Sequence, residues 1–174
     1  MIQRIQTLYL LAVVILGAVL IWLPVVEFIS YAEIYDKVDN QQVETMRTWE
    51  LRPSGVKVVC WVQDREAIYA PVPVQGVWGL TLATLLIPVL ALVDIFLFKK
   101  RLLQARLNIF SVMFCLGWYG VVAIYIWQAK LAQGVEWYIQ PWACIPLICM
   151  VLTLMATRRI LKDEALVRAA DRIR

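Results

Sequence analysis

The sequence predicts an all-α membrane protein: a bundle of four transmembrane helices with a small β-leaning outer segment and a helical cytoplasmic tail. Three observations carry that fold class. The 174-residue chain is 62% hydrophobic and 17% charged, with a mean hydropathy of +0.71, whereas a soluble domain is roughly half apolar and about a quarter charged. Its apolar residues gather into four long runs, at residues 5–23, 77–98, 107–127 and 142–157. Its cations cluster beside those runs: FKKRLLQARL, residues 98–107, sets Lys99, Lys100, Arg101 and Arg106 between the second run and the third.

A helix needs about 20 residues, at about 1.5 Å each, to cross a hydrocarbon core about 30 Å thick. The first three runs meet that length. The fourth is shorter, and Ile160 and Leu161 extend it past Arg158 and Arg159, whose long stems reach to the headgroups. The first run is too long for the core of a cleaved signal peptide, and the small-residue site at Ser30 and Ala32 lies beyond its end, so an uncleaved anchor is expected. Pro88 predicts a kink in the second span, while Pro141 suits the start of the fourth and Pro146 a bend within it. Gly117, Gly120 and Ala123 give the third span a small-residue stripe suited to close helix approach. The whole chain, residues 1–174, reads as a single four-span domain.

Lys and Arg counts near span ends set orientation, because cytoplasmic segments carry the excess. With FKKRLLQARL inside, Arg4, the four hairpin cations and the six of the tail fall on one side, eleven of the 17 Lys and Arg. The six others are spread over longer outer segments. The decapeptide therefore reads as a cytoplasmic hairpin, residues 99–106, with both termini inside as well. Tryptophan agrees: Trp22, Trp78, Trp127, Trp137 and Trp142 fall at outer span ends, where an indole keeps its ring in the interface and its N–H wet. Trp118, near the middle of the third span, reads as a packing residue between helices.

The outer segment, residues 24–75, is too long for a plain connector. VETMRTWEL and GVKVVCWV lean to strand on either side of RPSG, where Pro53 and Gly55 suit a turn. Two strands alone are marginal in water, so the hairpin is expected to rest on helix ends or pair with a third stretch such as FISYAEIYDKV. The second outer loop, residues 128–141, is short. On the other side the tail, residues 158–174, reads as helix, with Leu166, Ala169, Ala170 and Ile173 on one apolar stripe. That stripe, with Arg4, Lys99, Lys100, Arg101 and Arg106, forms a candidate cytoplasmic interaction surface. Its plainer reading is a helix resting on its own hairpin or on anionic headgroups.

Chemistry-bearing residues are sparse. The chain has no histidine and four cysteines, none in a CxxC pair, which removes imidazole-ligated haem, HExxH metal sites and Ser-His-Asp triads. The cysteines read as small apolar residues. Asp94 is the one Asp, Glu, Lys or Arg inside a run, near its cytoplasmic end. An intramembrane carboxylate is a functional candidate by default, and with Asn108 it forms a candidate intramembrane polar site. The competing reading pairs it with Arg4, Lys99 or Arg101. No catalytic residue, metal site or cofactor is expected.

MIQRIQTLYLL at the N-terminus, the hairpin FKKRLLQARL and the tail KDEALVRAADRIR together resemble the domain-of-unknown-function family 4293, bacterial four-span membrane proteins. The resemblance covers the layout of the whole chain and implies a multi-pass protein of the bacterial inner membrane. It brings no assigned activity and no catalytic residues. The sequence thus points to a non-enzymatic scaffold or accessory subunit of a membrane assembly. The alternative is a binder or carrier of a lipophilic small molecule held between the spans, oriented by such groups as Asp94, Gln104, Asn108 or Tyr119. The expected partners are the bilayer and a membrane protein or second copy, with no nucleic acid. A thiol-disulfide enzyme would need paired outward cysteines, and Cys60 alone clearly faces out.

Overall fold

The computed structural model describes residues 3–35, 42–62, 65–68, 77–97, 101–130 and 135–173. The protein is mostly helical, with three long apolar helices and a small antiparallel sheet. Its helices are α1 (Gln3–Leu20), α2 (Trp78–Phe96), α3 (Arg101–Lys130) and α4 (Ile145–Ile173). Trp78–Phe96, Leu102–Ala129 and Pro141–Val167, the last including the 3-10 turn before α4, are long and apolar enough to cross a membrane, and the apolar stretch of α1, Gln6–Leu20, is shorter. The chain divides into two compact units.

The first unit comprises Met1–Leu20, Leu82–Gly120 and Cys144–Arg174. Here each helix buries one narrow face and leaves many large apolar side chains bare. On α1 the buried face is Gln6, Leu10, Val13 and Leu20, a helical spacing that a stripe facing neighbours requires. Its opposite face, Leu8, Leu11, Ile15 and Val19, is exposed. In water such faces would be a liability, and against lipid tails they cost nothing.

Close packing in this unit turns on one small residue, Gly17, and not on the expected stripe of α3: Gly117, Gly120 and Ala123 are exposed, and a Cβ on either glycine would meet nothing within 4 Å. A Cβ on Gly17 would lie 2.9 Å from Cδ and 3.2 Å from Cβ of Pro88, so α1 and α2 approach where one side chain is missing. Pro88 sits inside α2, which continues on both sides of it. The helix α1 packs along α4, and the Gln6 side-chain amide donates to the Asp163 carboxylate. The latter helix runs unbroken past the exposed Arg158 and Arg159, so the expected tail helix is a continuation of the fourth apolar run.

The second unit comprises Ile21–Thr81 and Val121–Ala143. It holds a five-stranded sheet of β1 (Val26–Tyr35), β2 (Gln42–Arg52), β3 (Gly55–Val62), β4 (Arg65–Ile68) and β5 (Val135–Ile139), in the order β4-β3-β2-β1-β5. The anticipated hairpin is β2 and β3, closed where Arg52 pairs with Gly55. Gly55 has φ 149°, a backbone region that side-chain-bearing residues avoid. Residues 28–35 of FISYAEIYDKV lie in β1 and its last three residues lie outside the described ones; β1 pairs with β2 from Val26↔Leu51 to Tyr35↔Gln42.

Beyond that expectation, the short loop before α4 contributes β5, pairing Val26↔Ile139 through Ser30↔Val135. Val25, Val26, Phe28 and Leu51 are buried at its base. The Val25 amide donates to the Leu51 carbonyl and the Gln140 amide to the Val25 carbonyl, leaving little backbone unsatisfied where strand gives way to helix.

Candidate functional site

The polar residues that the apolar unit buries are dealt with in two ways. On α4, Thr153 Oγ1 donates to the Cys149 carbonyl and Thr157 Oγ1 to the Thr153 carbonyl, both at 2.8 Å. Such bonds to the preceding turn let a hydroxyl sit in an apolar bundle at small cost. Between α2 and α3, Trp118 donates its indole N–H to Thr84 Oγ1 at 2.8 Å. Trp118 is fully buried, as a packing residue between helices should be.

The second group is different. Asp94, Asn108 and Ser111 are buried, the first two with no exposure at all. Both carboxylate oxygens of Asp94, both amide atoms of Asn108 and the hydroxyl of Ser111 have no hydrogen-bond partner among the described residues. Leaving such groups unpaired in an apolar medium costs several kcal/mol for amides and hydroxyls, and more for a charged carboxylate.

Register sets the three on one helix pair, with Asn108 about one turn and Ser111 about two turns along α3 from the tie at Asp94. Two hydrogen bonds tie α2 to α3, Trp118 to Thr84 and, 3.0 Å long, Gln104 Nε2 to the Asp94 carbonyl. Since Thr84 precedes Asp94 and Gln104 precedes Trp118, the helices run antiparallel. Gln104, Asn108, Ser111, Cys115 and Trp118 are all buried and spaced by four or three, so they form one stripe of α3. Both ends of that stripe reach α2, and Asn108 and Ser111 lie between them. Asp94 is at the near tie, on the buried α2 face that includes Ile87 and Ala91. Three oxygen-bearing side chains thus share one helix pair.

Of the two intramembrane residues singled out in the sequence, Asp94 and Asn108, both belong to this stripe pair. Ser111 was not singled out, although its place three residues after Asn108 marks the same face. Of the cations offered as partners for Asp94, Arg4 and Arg101 have side chains outside the described residues, and Lys99, like Lys100, lies outside them altogether. Among the other surface residues, Arg106, Leu166 and Ala169 are exposed, whereas for Ala170 and Ile173 only the helical backbone is described. Arg101 and Arg106 stand on the first turns of α3. Cys115, Cys144 and Cys149 are free thiols, the first and last buried and Cys144 exposed.

The layout then meets a match along its length: the family described as Domain of unknown function (DUF4293) matches residues 2–173. The chain belongs to the DUF4293 family. No curated protein matches the sequence. In this DUF4293 chain the aromatic ends of the helices are the other feature with a physical meaning. Trp22 follows α1, Trp78 opens α2, Trp127 lies near the end of α3, and Trp142 lies in the 3-10 turn Pro141–Cys144 before α4. All four are exposed and all four fall in the sheet-bearing unit. That is the placement of an aromatic belt at a membrane–water interface.

Proposed function

We propose that this chain is a non-enzymatic, four-span protein of the bacterial inner membrane that serves as a scaffold or accessory subunit of a membrane assembly. The observation that carries this is a folded five-stranded β unit that includes the belt of exposed tryptophans at the helix ends. A compact folded surface is what a docking partner needs, and it requires no reacting groups. Helix α1 is the fourth span in this account. Its length of 18 residues gives about 27 Å, and its exposed Leu8, Leu11, Ile15 and Val19 match the bare faces of the other three. The cation-rich hairpin, both termini and the α4 tail face the cytoplasm by the positive-inside rule, and the sheet faces out.

The test is a photo-crosslinking residue in place of Tyr138, which is half exposed on β5, in native membranes. The accessory reading expects one discrete protein adduct of fixed mass, heterologous or with a second copy. Lipid adducts alone would contradict it.

The alternative of a binder or carrier of a lipophilic molecule has its own specific support. The buried atoms of Asp94, Asn108 and Ser111, without partners among the described residues, would orient a polar headgroup between α2 and α3. Mass spectrometry of the purified protein, comparing native chain with Asn108→Leu, tests it: a retained lipid or quinone released by the substitution supports it, and an unchanged spectrum opposes it.

A further inference from the structure

We infer that Asp94, Asn108 and Ser111 form an intramembrane site for a single alkali-metal cation. This goes beyond the accessory reading and is independent of it. The motivating observation is the set of five polar atoms on three deeply buried side chains, without partners among the described residues, on facing stripes of α2 and α3. The same bundle satisfies its other buried hydroxyls, at Thr153 and Thr157, by bonds along their own helix. Ser111 has the same option open to it in the turn before, and its hydroxyl does not take it.

The chemistry of the donors selects the occupant. Carboxylate, amide carbonyl and hydroxyl are all hard oxygen donors, suited to hard cations and poor for softer metals that prefer imidazole or thiolate. The charge count selects valence. One carboxylate balances one positive charge, so a monovalent ion leaves the site neutral inside an apolar unit. A divalent ion would leave net charge there, and no group of three or more Asp, Glu, Cys or His suited to hold one occurs among the described residues. Gln104 already engages the Asp94 carbonyl, which fixes that end of α2 against α3 and leaves the carboxylate to face the ion. A lipophilic headgroup competes for the same atoms, and so does an ion pair with Arg4, Lys99 or Arg101.

The experiment uses the full-length chain in detergent, its thermal midpoint followed by tryptophan fluorescence. LiCl, NaCl and KCl are titrated separately against choline chloride at constant ionic strength. A ligand that binds only the folded state raises the midpoint with its concentration over its dissociation constant. The proposal expects a saturable rise of a few degrees for at least one alkali cation with choline inert. That rise should be lost in Asp94→Asn and shifted severalfold to higher concentration in Ser111→Ala. A hydrophobic carbodiimide, which modifies buried carboxyl groups, should also label Asp94 more slowly when that cation is present, as read by intact mass.

Should Asp94→Asn fail to fold, Ser111→Ala and the labelling rate still decide. No cation response beyond choline, or an equal response in the native chain and both variants, overturns the proposal and leaves Asp94 to an ion pair. A co-purifying lipid that protects Asp94 where cations do not also overturns it, in favour of a lipophilic ligand.

Discussion

Trp118 donates its indole N–H to Thr84 Oγ1 across 2.8 Å, joining α3 to α2 inside the apolar unit. Hydrogen bonds between membrane helices average about 0.6 kcal/mol and reach about 1.7. Trp118→Phe removes the donor and part of the ring volume, so it should cost more than Thr84→Val, which removes the acceptor and nearly keeps the shape. A double-mutant cycle on unfolding in mixed micelles should give a coupling of about 0.5–1.5 kcal/mol. A coupling of zero would mean that the pair contributes packing alone.

Gly17 and Pro88 set how near α1 comes to α2. A methyl group at Gly17 would meet a ring carbon at 2.9 Å, and a proline ring has little freedom to yield. Gly17→Ala should destabilise by about 1–3 kcal/mol, the range for overpacking, despite the better helix propensity of alanine. Pro88→Ala in the same chain should recover part of the loss, since the two sites touch. A Gly17→Ala chain at least as stable as the native one would show that these helices stand further apart.

At the other unit the sensitive position is Gly55. Its φ of 149° lies where a side chain is strained, at a cost of about 1–3 kcal/mol. Nothing lies within 4 Å of the Cβ it would gain, so the penalty is conformational and not steric. Gly55→Ala should loosen the β2–β3 turn and speed amide exchange in Leu51 and Val56, while α2 and α3 keep their protection. Exchange unchanged in the turn would refute the assignment.

Gln6 and Asp163 join the first turns of α1 to α4. Gln6 is buried, so Asp163→Ala leaves an amide without its acceptor, an expected loss of about 1–3 kcal/mol. Asp163→Asn keeps an acceptor and should lose less. Equal melting of the two variants would place the weight on something other than this bond.

The helices were legible because lipid imposes long apolar runs, and interruption by charge is unmistakable in them. Strands β1, β2 and β3 were legible for another reason: β-rich runs flank a Pro-Ser-Gly turn, and a hairpin alone needs a third partner. Strand β5 was not legible. VEWYI is five residues long in a short inter-helix loop, and its strand state depends on pairing with Val26–Ser30, more than a hundred residues earlier. Helix α3 extends to Lys130, beyond the apolar run, because helix geometry continues into polar sequence where hydropathy ends.

Within the buried cluster, Asp94 stood out by charge and Asn108 by its amide in an apolar run. Ser111 was hidden because a serine in such a run normally bonds to its own helix. Gly17 was equally silent, since a lone glycine in a helical pattern does not reveal which neighbour presses against it.

The most direct test of the account is the side of the membrane on which its surfaces lie. In a cysteine-free background, single cysteines at Tyr138 in the sheet, Arg106 at the start of α3 and Ala169 on the α4 tail are treated with a membrane-impermeant maleimide in intact and permeabilised spheroplasts. The account predicts that Tyr138→Cys reacts in intact spheroplasts, whereas Arg106→Cys and Ala169→Cys react only after permeabilisation. Reaction of all three from the same side would contradict it, and so would Arg106→Cys or Ala169→Cys labelled in intact spheroplasts.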